Sequence, residues 1–299
     1  MDEKQLEKVR SGRGFFAALD QSGGSSPKAL ANYGIARSRY SSEEEMFDLV
    51  HAMRTRVVTS AAFDGRILAA ILFEQTMERD VQGVPTAQYL WDEKQVVPFL
   101  KVDKGVADEQ HGVRLMKPID NLDELLERAK RHRIFGTKMR SVINDADKDG
   151  VTAIVEQQFE YGARISSAGL VPILEPEVRT NSAHKDEAEV LLREALQRNL
   201  DGLPDDAVIL LKLTIPTQPG LYRSLAADAR VLLVLALSGG YSRDEACKRL
   251  ARDPIMIASF SRALLEELSG DQTDEQFNAQ LEASIAQIYD ASVNKSSGS

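Results

Sequence analysis

The sequence predicts an α/β fold closed into a (β/α)8 barrel, and three observations carry that expectation. Eight short apolar runs recur along the chain, stretches of helical periodicity separate them, and no G-x-G-x-x-G follows the first run. Runs that are apolar at nearly every position fit strands buried on both faces, as in a parallel sheet. Eight strand–helix units within about 250 residues fit a closed barrel. An open doubly wound sheet would use the glycine fingerprint that is missing here.

The strands are expected at 15–20, 66–73, 96–102, 134–140, 170–178, 208–214, 231–238 and 255–261. Helices are expected between them, at 43–58, 121–133, 151–168, 185–199, 243–252 and 274–291. Ser242 with Glu245, and Thr273 with Gln276, have the spacing of capping boxes and mark two helix starts. With no composition shift, repeat or linker, residues 1–299 read as one barrel domain, with a flexible tail from about residue 292.

Net charge is −9, spread without a basic run or stripe, so the reading includes no nucleic-acid or membrane partner. The one cysteine, Cys247, cannot form a disulfide within the chain and favours a reducing compartment. The charged N-terminus lacks the apolar segment of a signal peptide, and no run reaches membrane-span length. The expected location is therefore cytoplasmic.

Charge inside the apolar runs points to chemistry. Lys212 sits in Leu210-Leu211-Lys212-Leu213-Thr214, where an ammonium is costly unless paired or neutralised. Burial favours the neutral amine, which is a nucleophile. For a lone lysine, snorkelling to water at a strand end is the simpler reading. Other strands repeat the pattern, however. Residues two apart share a strand face, and Lys101 with Asp103, Lys138 with Arg140, and Glu175 with Glu177 have that spacing. Asp20 closes the first strand. All lie toward C-terminal strand ends, where barrel active sites are built. Solvated strand lips explain one such pair but not five strands.

Anion binding is expected separately. The seventh strand runs into Ser238-Gly239-Gly240 before a helix, and the eighth ends Ser259-Phe260-Ser261-Arg262. Backbone amides at such glycines, a helix N-terminus and a guanidinium suit a phosphate, commonly held between the last two strand loops of a barrel. Asp20-Gln21-Ser22-Gly23-Gly24-Ser25-Ser26-Pro27-Lys28 is a second such loop, implying a substrate with two anionic ends. Asp145 to Gly150, followed by Glu156, matches a calcium-loop pattern, but a strand rather than a helix is expected upstream. It is read as an acidic connection capping the next helix. The four histidines have no metal-ligand spacing, so neither metal nor cofactor is expected.

A buried lysine among cations, carboxylates and phosphate loops points to Schiff-base chemistry on a phosphorylated carbonyl compound. Lys138 and Arg140, as like charges near Lys212, would add to the effect of burial. Read in order, Ala18-Leu19-Asp20-Gln21-Ser22, Lys101-Val102-Asp103-Lys104-Gly105, Lys138-Met139-Arg140, Glu175-Pro176-Glu177, Leu211-Lys212, Leu237-Ser238-Gly239-Gly240 and Ser259-Phe260-Ser261-Arg262 resemble the class I fructose-1,6-bisphosphate aldolases, in their compact bacterial form. The resemblance spans roughly residues 11–293.

The resemblance implies that Lys212 forms the iminium, Glu175 acts as general acid/base, and Asp20 takes the hydroxyl proton that triggers cleavage. Glu177, Lys138 and Arg140 would tune charge around the intermediate, and Lys101 would hold substrate. Ser238, Gly239 and Arg262 would bind the ketone-half phosphate, Gly240 and Ser259 would join them in binding substrate, and Ser22 and Ser25 would lie near the aldehyde-half phosphate. Three departures stand out. Gln21 replaces a glutamate, Ala29 replaces an arginine for which Lys28 is the candidate substitute, and the tail lacks the terminal tyrosine of animal members, Tyr289 being the last tyrosine. Tagatose and sedoheptulose bisphosphates are alternative substrates, and a calcium-responsive binding protein is the alternative outside catalysis. Oligomeric state is not legible.

Overall fold

A computed structural model describes residues 2–22 and 25–296. Eight parallel strands close on themselves. They are β1 (Phe15–Leu19), β2 (Ile67–Leu72), β3 (Val97–Lys101), β4 (Gly136–Ile143), β5 (Val171–Val178), β6 (Ile209–Thr214), β7 (Val231–Leu237) and β8 (Ile257–Phe260). Each pairs with its sequence neighbours, and β1 pairs with β8 to complete the ring. The main helices of the outer layer are Glu43–Thr59, Leu122–Arg131, Lys148–Ser167, Lys185–Asp201, Arg243–Arg252 and Asp274–Val293.

The core has two parts, as strand alternation requires. Outward residues such as Phe15, Leu19, Leu72, Leu211 and Ala236 pack against the helices. Inward residues, among them Phe16, Ile71, Phe99, Ile173, Leu210 and Leu235, fill the barrel. Phe99 lies between Phe16 and Phe135, with ring centroids 5.6 and 5.5 Å away. Gly136 makes room for it, because a Cβ there would fall 2.2 Å from the Val171 carbonyl oxygen and 2.5 Å from the Phe99 ring. The helix Glu3–Arg10 closes the lower end, with Val9 and Leu6 joining the inner cluster. It has too few apolar positions to show a period, and the sequence reading missed it.

Polarity reverses along each inward row. Val97 and Phe99 give way to Lys101, Val171 and Ile173 to Glu175 and Glu177, and Leu210 to Lys212. The register aligns these steps, pairing Lys101 with Lys138 and Arg140 with Glu175 on adjacent strands. The barrel is therefore an apolar plug beneath a charged floor.

Boundaries moved where tertiary contacts intervene. β4 extends to Ile143 because the short strand Val113–Arg114 pairs antiparallel with its end. The next helix starts at Lys148 because Asp147 caps the Gly150 amide at 2.8 Å. Thr273 and Gln276 form a full capping box. Ser242 caps its helix, but Glu245 turns to Arg249 at 2.6 Å, so that box is half made.

The last helix runs to Val293, and the buried Ser292 hydroxyl accepts from the Ala258 amide and donates to the Ile288 carbonyl. Lys295 Nζ donates to the carbonyls of Leu250, Met256 and Ala291, which seats this residue against the barrel. Residues 297–299 lie outside the described part.

Candidate active site

The C-terminal strand ends surround one open cavity of about 520 Å3. At its floor, charges alternate in a chain. Lys212 Nζ on β6 lies 3.2 Å from Glu175 Oε1 on β5, and Lys138 Nζ on β4 lies 3.1 Å from the other Glu175 oxygen. Lys138 Nζ also lies 2.5 Å from Asp20 Oδ2, just beyond β1. All four groups are at most 8 % exposed. Alternation of sign is what makes four dehydrated charges tolerable together.

The same arrangement fixes protonation. Burial alone would raise the Asp20 carboxyl, but the ammonium groups of Lys138, Lys212 and Lys101 outweigh it and hold the group well below the usual carboxylate range. Burial would lower Lys138, yet Asp20, Glu175 and Asp103 raise it far above an ordinary lysine. Asp20 is thus ionised and Lys138 charged across the physiological range.

A second set of pairs stands around this floor. Lys101 Nζ meets Asp103 Oδ1 at 2.9 Å and its carbonyl at 2.7 Å, and Arg140 Nε meets Glu177 Oε2 at 2.5 Å. Asp103 also accepts the Arg140 and Gly105 amides, tying the β3 and β4 ends together. The sequence places Lys138 and Arg140 as like charges near Lys212. The structure instead interposes Glu175 between Lys138 and Lys212 and turns Arg140 to Glu177. Strand spacing gives the face of a residue but not its cross-strand partner.

The glycine loop after β7 has the conformation an anion site needs. Gly239 and Gly240 have φ of 59° and 108°, and a Cβ on Gly239 would fall 2.4 Å from Thr180 Cγ2, so only glycine fits. The Thr180 hydroxyl donates to the Gly239 carbonyl at 2.8 Å. Arg262 lies against the loop, its Nη2 being 3.5 Å from where a Gly240 Cβ would stand. Ser238, Gly239, Ser259 and Arg262 line the cavity, and the buried hydroxyls of Ser259 and Ser261 have no partner within the described residues. Gly240 departs from this group. It lines an adjoining cavity of about 480 Å3, shared in part through Arg262, Gln21 and Ala29.

Across the mouth, Ser22, Ser25 and Lys28 line the main cavity. The Ser25 hydroxyl accepts the Ser22 amide and donates to its carbonyl, closing the β1 loop on itself. Gly23 and Gly24 of that loop lie outside the described residues. Ala29 lines the wall without charge.

Two residues escaped the sequence reading. Arg54, 3 % exposed on helix Glu43–Thr59, donates to the Gln21 carbonyl and to Thr76 Oγ1. Burial lowers its guanidinium to about 10 despite the opposing pull of Asp20. The signal was present in an arginine on the helix row of Phe47, Val50 and Val57. Arg179, which also lines the cavity, extends the inward row of Glu175 and Glu177.

The calcium-loop residues are otherwise engaged. Asp145 pairs with His184 Nδ1 at 2.7 Å, Asp147 serves as the helix cap, and a strand precedes the loop. Among the described residues no group of three or more His, Cys, Asp or Glu side chains could hold a metal ion, and no helix is long and apolar enough to cross a membrane. Tyr289 packs against the outer core as part of the last helix.

Comparison with known proteins agrees with this geometry. The family model for class I fructose-bisphosphate aldolase matches residues 3–216, more than two thirds of the chain. A solved Plasmodium falciparum fructose-bisphosphate aldolase, crystallised with TRAP and a small-molecule inhibitor, superposes with a TM-score of 0.76 at 21% identity, over 99% of this chain and 96% of that one. A Corynebacterium glutamicum protein superposes with a TM-score of 0.56 at 11% identity, over 98% and 92%. At these identities the two neighbours speak for the barrel alone, whereas the family match covers strands β1 to β6 and the floor residues Asp20, Lys138, Glu175 and Lys212. The chain belongs to the class I fructose-bisphosphate aldolases, Schiff-base lyases built on a (β/α)8 barrel.

Proposed function

We propose that the protein reversibly cleaves fructose 1,6-bisphosphate into dihydroxyacetone phosphate and glyceraldehyde 3-phosphate through an iminium on Lys212. The carrying observation is the buried contact between Lys212 Nζ and Glu175, with the Asp20–Lys138 pair on the same floor. The Lys212 amine adds to the substrate ketone, and Glu175 delivers and withdraws the protons that convert the carbinolamine to iminium plus water. Ionised Asp20 takes the proton of the hydroxyl beyond the bond to be broken. That oxygen's electrons form the aldehyde, the carbon–carbon bond breaks, and its electron pair passes into the iminium as an enamine. Protonation of the enamine and hydrolysis release the ketone half and restore the amine.

Lys138 keeps Asp20 ionised, and the Arg140–Glu177 pair sets the local charge. Lys101 and the loops bearing Ser238, Gly239, Gly240, Ser259, Arg262, Ser22 and Ser25 hold a phosphorylated sugar. The iminium is itself the electron sink, so activity is expected to survive EDTA. A cytoplasmic role in glycolysis or gluconeogenesis follows from this substrate.

Borohydride reduction in the presence of dihydroxyacetone phosphate should attach the ketone to Lys212, located by peptide mapping. An adduct on another residue, or none, overturns the mechanism. Comparing kcat/KM for fructose, tagatose and sedoheptulose bisphosphates decides the sugar.

A further inference from the structure

The ladders of β1 end at Leu19 toward β2 and at Ala17 toward β8, so Asp20 lies beyond both. Among the described residues, no backbone group hydrogen-bonds to the main chain of Asp20 or Gln21. The bonds between Ser22 and Ser25 that follow are internal to the loop and do not fix where it sits. Lys138 meanwhile draws on the Asp20 carboxylate from β4, at 2.5 Å.

One side chain reaches this otherwise bare stretch of main chain. Arg54 Nη2 donates to the Gln21 carbonyl, and Nη1 donates to Thr76 Oγ1. Thr76 belongs to the short helix Glu74–Met77 that follows β2, so the guanidinium bridges the exits of two neighbouring strands. Arg54 and Thr76 are each 3 % exposed, and Arg54 does not line the cavity. A cation buried without a carboxylate in contact is costly. Burial accordingly lowers Arg54 to about 10, while the charge of Asp20 opposes that fall. Packing alone does not call for an arginine here.

Resting on the function proposed above, we propose that Arg54 is a positioning residue for carbon–carbon cleavage, holding the main chain at Asp20 and Gln21 so that the Asp20 carboxylate stays within reach of the hydroxyl it deprotonates. The geometry separates its effect by step. Lys212 and Glu175, which form the iminium, stand within ladders of their own on β6 and β5. Asp20 stands outside any ladder and depends on the guanidinium beside it. A displacement of about 1 Å at a reacting group can cost about a hundredfold in rate, and cleavage is the step that passes through Asp20.

The test compares two readouts in the intact protein. One is kcat for cleavage of fructose 1,6-bisphosphate, and the other is the rate at which borohydride traps dihydroxyacetone phosphate on Lys212. Arg54→Met removes the donors, Arg54→Lys keeps the charge without the fork, and Thr76→Val removes the second anchor of the guanidinium. Arg54→Met should lower cleavage by about tenfold or more, with trapping within about twofold of wild type. Arg54→Lys should recover part of the lost cleavage, and Thr76→Val should show a smaller loss of the same kind. Cleavage and trapping that fall in equal proportion overturn the proposal, as does wild-type cleavage by Arg54→Met, and the aldolase reading stands in either case. Should Arg54→Met not fold, the same ratio in Arg54→Lys and Thr76→Val decides. Wild-type protein that neither cleaves nor traps removes both.

Discussion

Replacing Lys138 with methionine leaves two buried carboxylates, Asp20 and Glu175, facing fewer cations. Lys138 is 3 % exposed, with carboxylate oxygens at 2.5 and 3.1 Å. At an effective dielectric of about 20, such contacts are worth about 5–7 kcal/mol each, before the several kcal/mol needed to dehydrate the ammonium. Removing one member of a buried pair typically costs about 3–5 kcal/mol, because the remaining charge is stranded.

The pH dependence has a definite sign. In the wild type the Asp20 pKa is depressed, so its contribution is present above the unfolded value of about 3.9 and is lost as pH falls through the folded value. Without Lys138, burial gains the upper hand and the folded pKa moves upward. The deficit is then largest at high pH and shrinks on acidification, as the stranded carboxyl takes up a proton. Urea unfolding followed by fluorescence of the single tryptophan, Trp91, which packs on the inner core, reads this directly. The expected deficit for Lys138→Met is about 3–5 kcal/mol at pH 8, narrowing by about 1 kcal/mol or more at pH 5. A deficit below about 1 kcal/mol at pH 8, or one that does not change with pH, would refute the account of the charged floor.

Glu175→Gln keeps the shape beside Lys212 but removes the proton carrier. A fall in kcat of about 10²–10⁴ is expected, with slower borohydride trapping, and near-wild-type turnover would reassign the role. Cys247 is buried, its thiol pushed up to about 12 mainly by burial. Its reaction with a disulfide reagent at pH 8 should be at least about a hundredfold slower in the folded protein than in urea, and equal rates would show that the helix Arg243–Arg252 opens readily.

Much of the site could be read along the chain because a strand declares its faces with a period of two. The pairs 101/103, 138/140 and 175/177 share faces, and all three turn inward at the mouth as that period requires. What could not be read is who meets whom. Lys138 pairs with Asp20 across 118 positions of sequence, a contact made by ring closure and register. Arg140 meets Glu177 for the same reason. Arg54 stayed hidden because a buried arginine on an apolar helix row looks like a surface residue until its partner, the Gln21 carbonyl, is in view.

The eight buried strands, the helices between them and the charged residues at the strand ends were legible along the chain, since local periodicity and burial are properties of short segments. It also carried the resemblance that the family match bears out. The alternating order of Asp20, Lys138, Glu175 and Lys212, the fit of Gly239 against Thr180 and the seat of Lys295 came only with the folded barrel. Each depends on distances between residues far apart in the chain, and these become fixed only when the barrel closes.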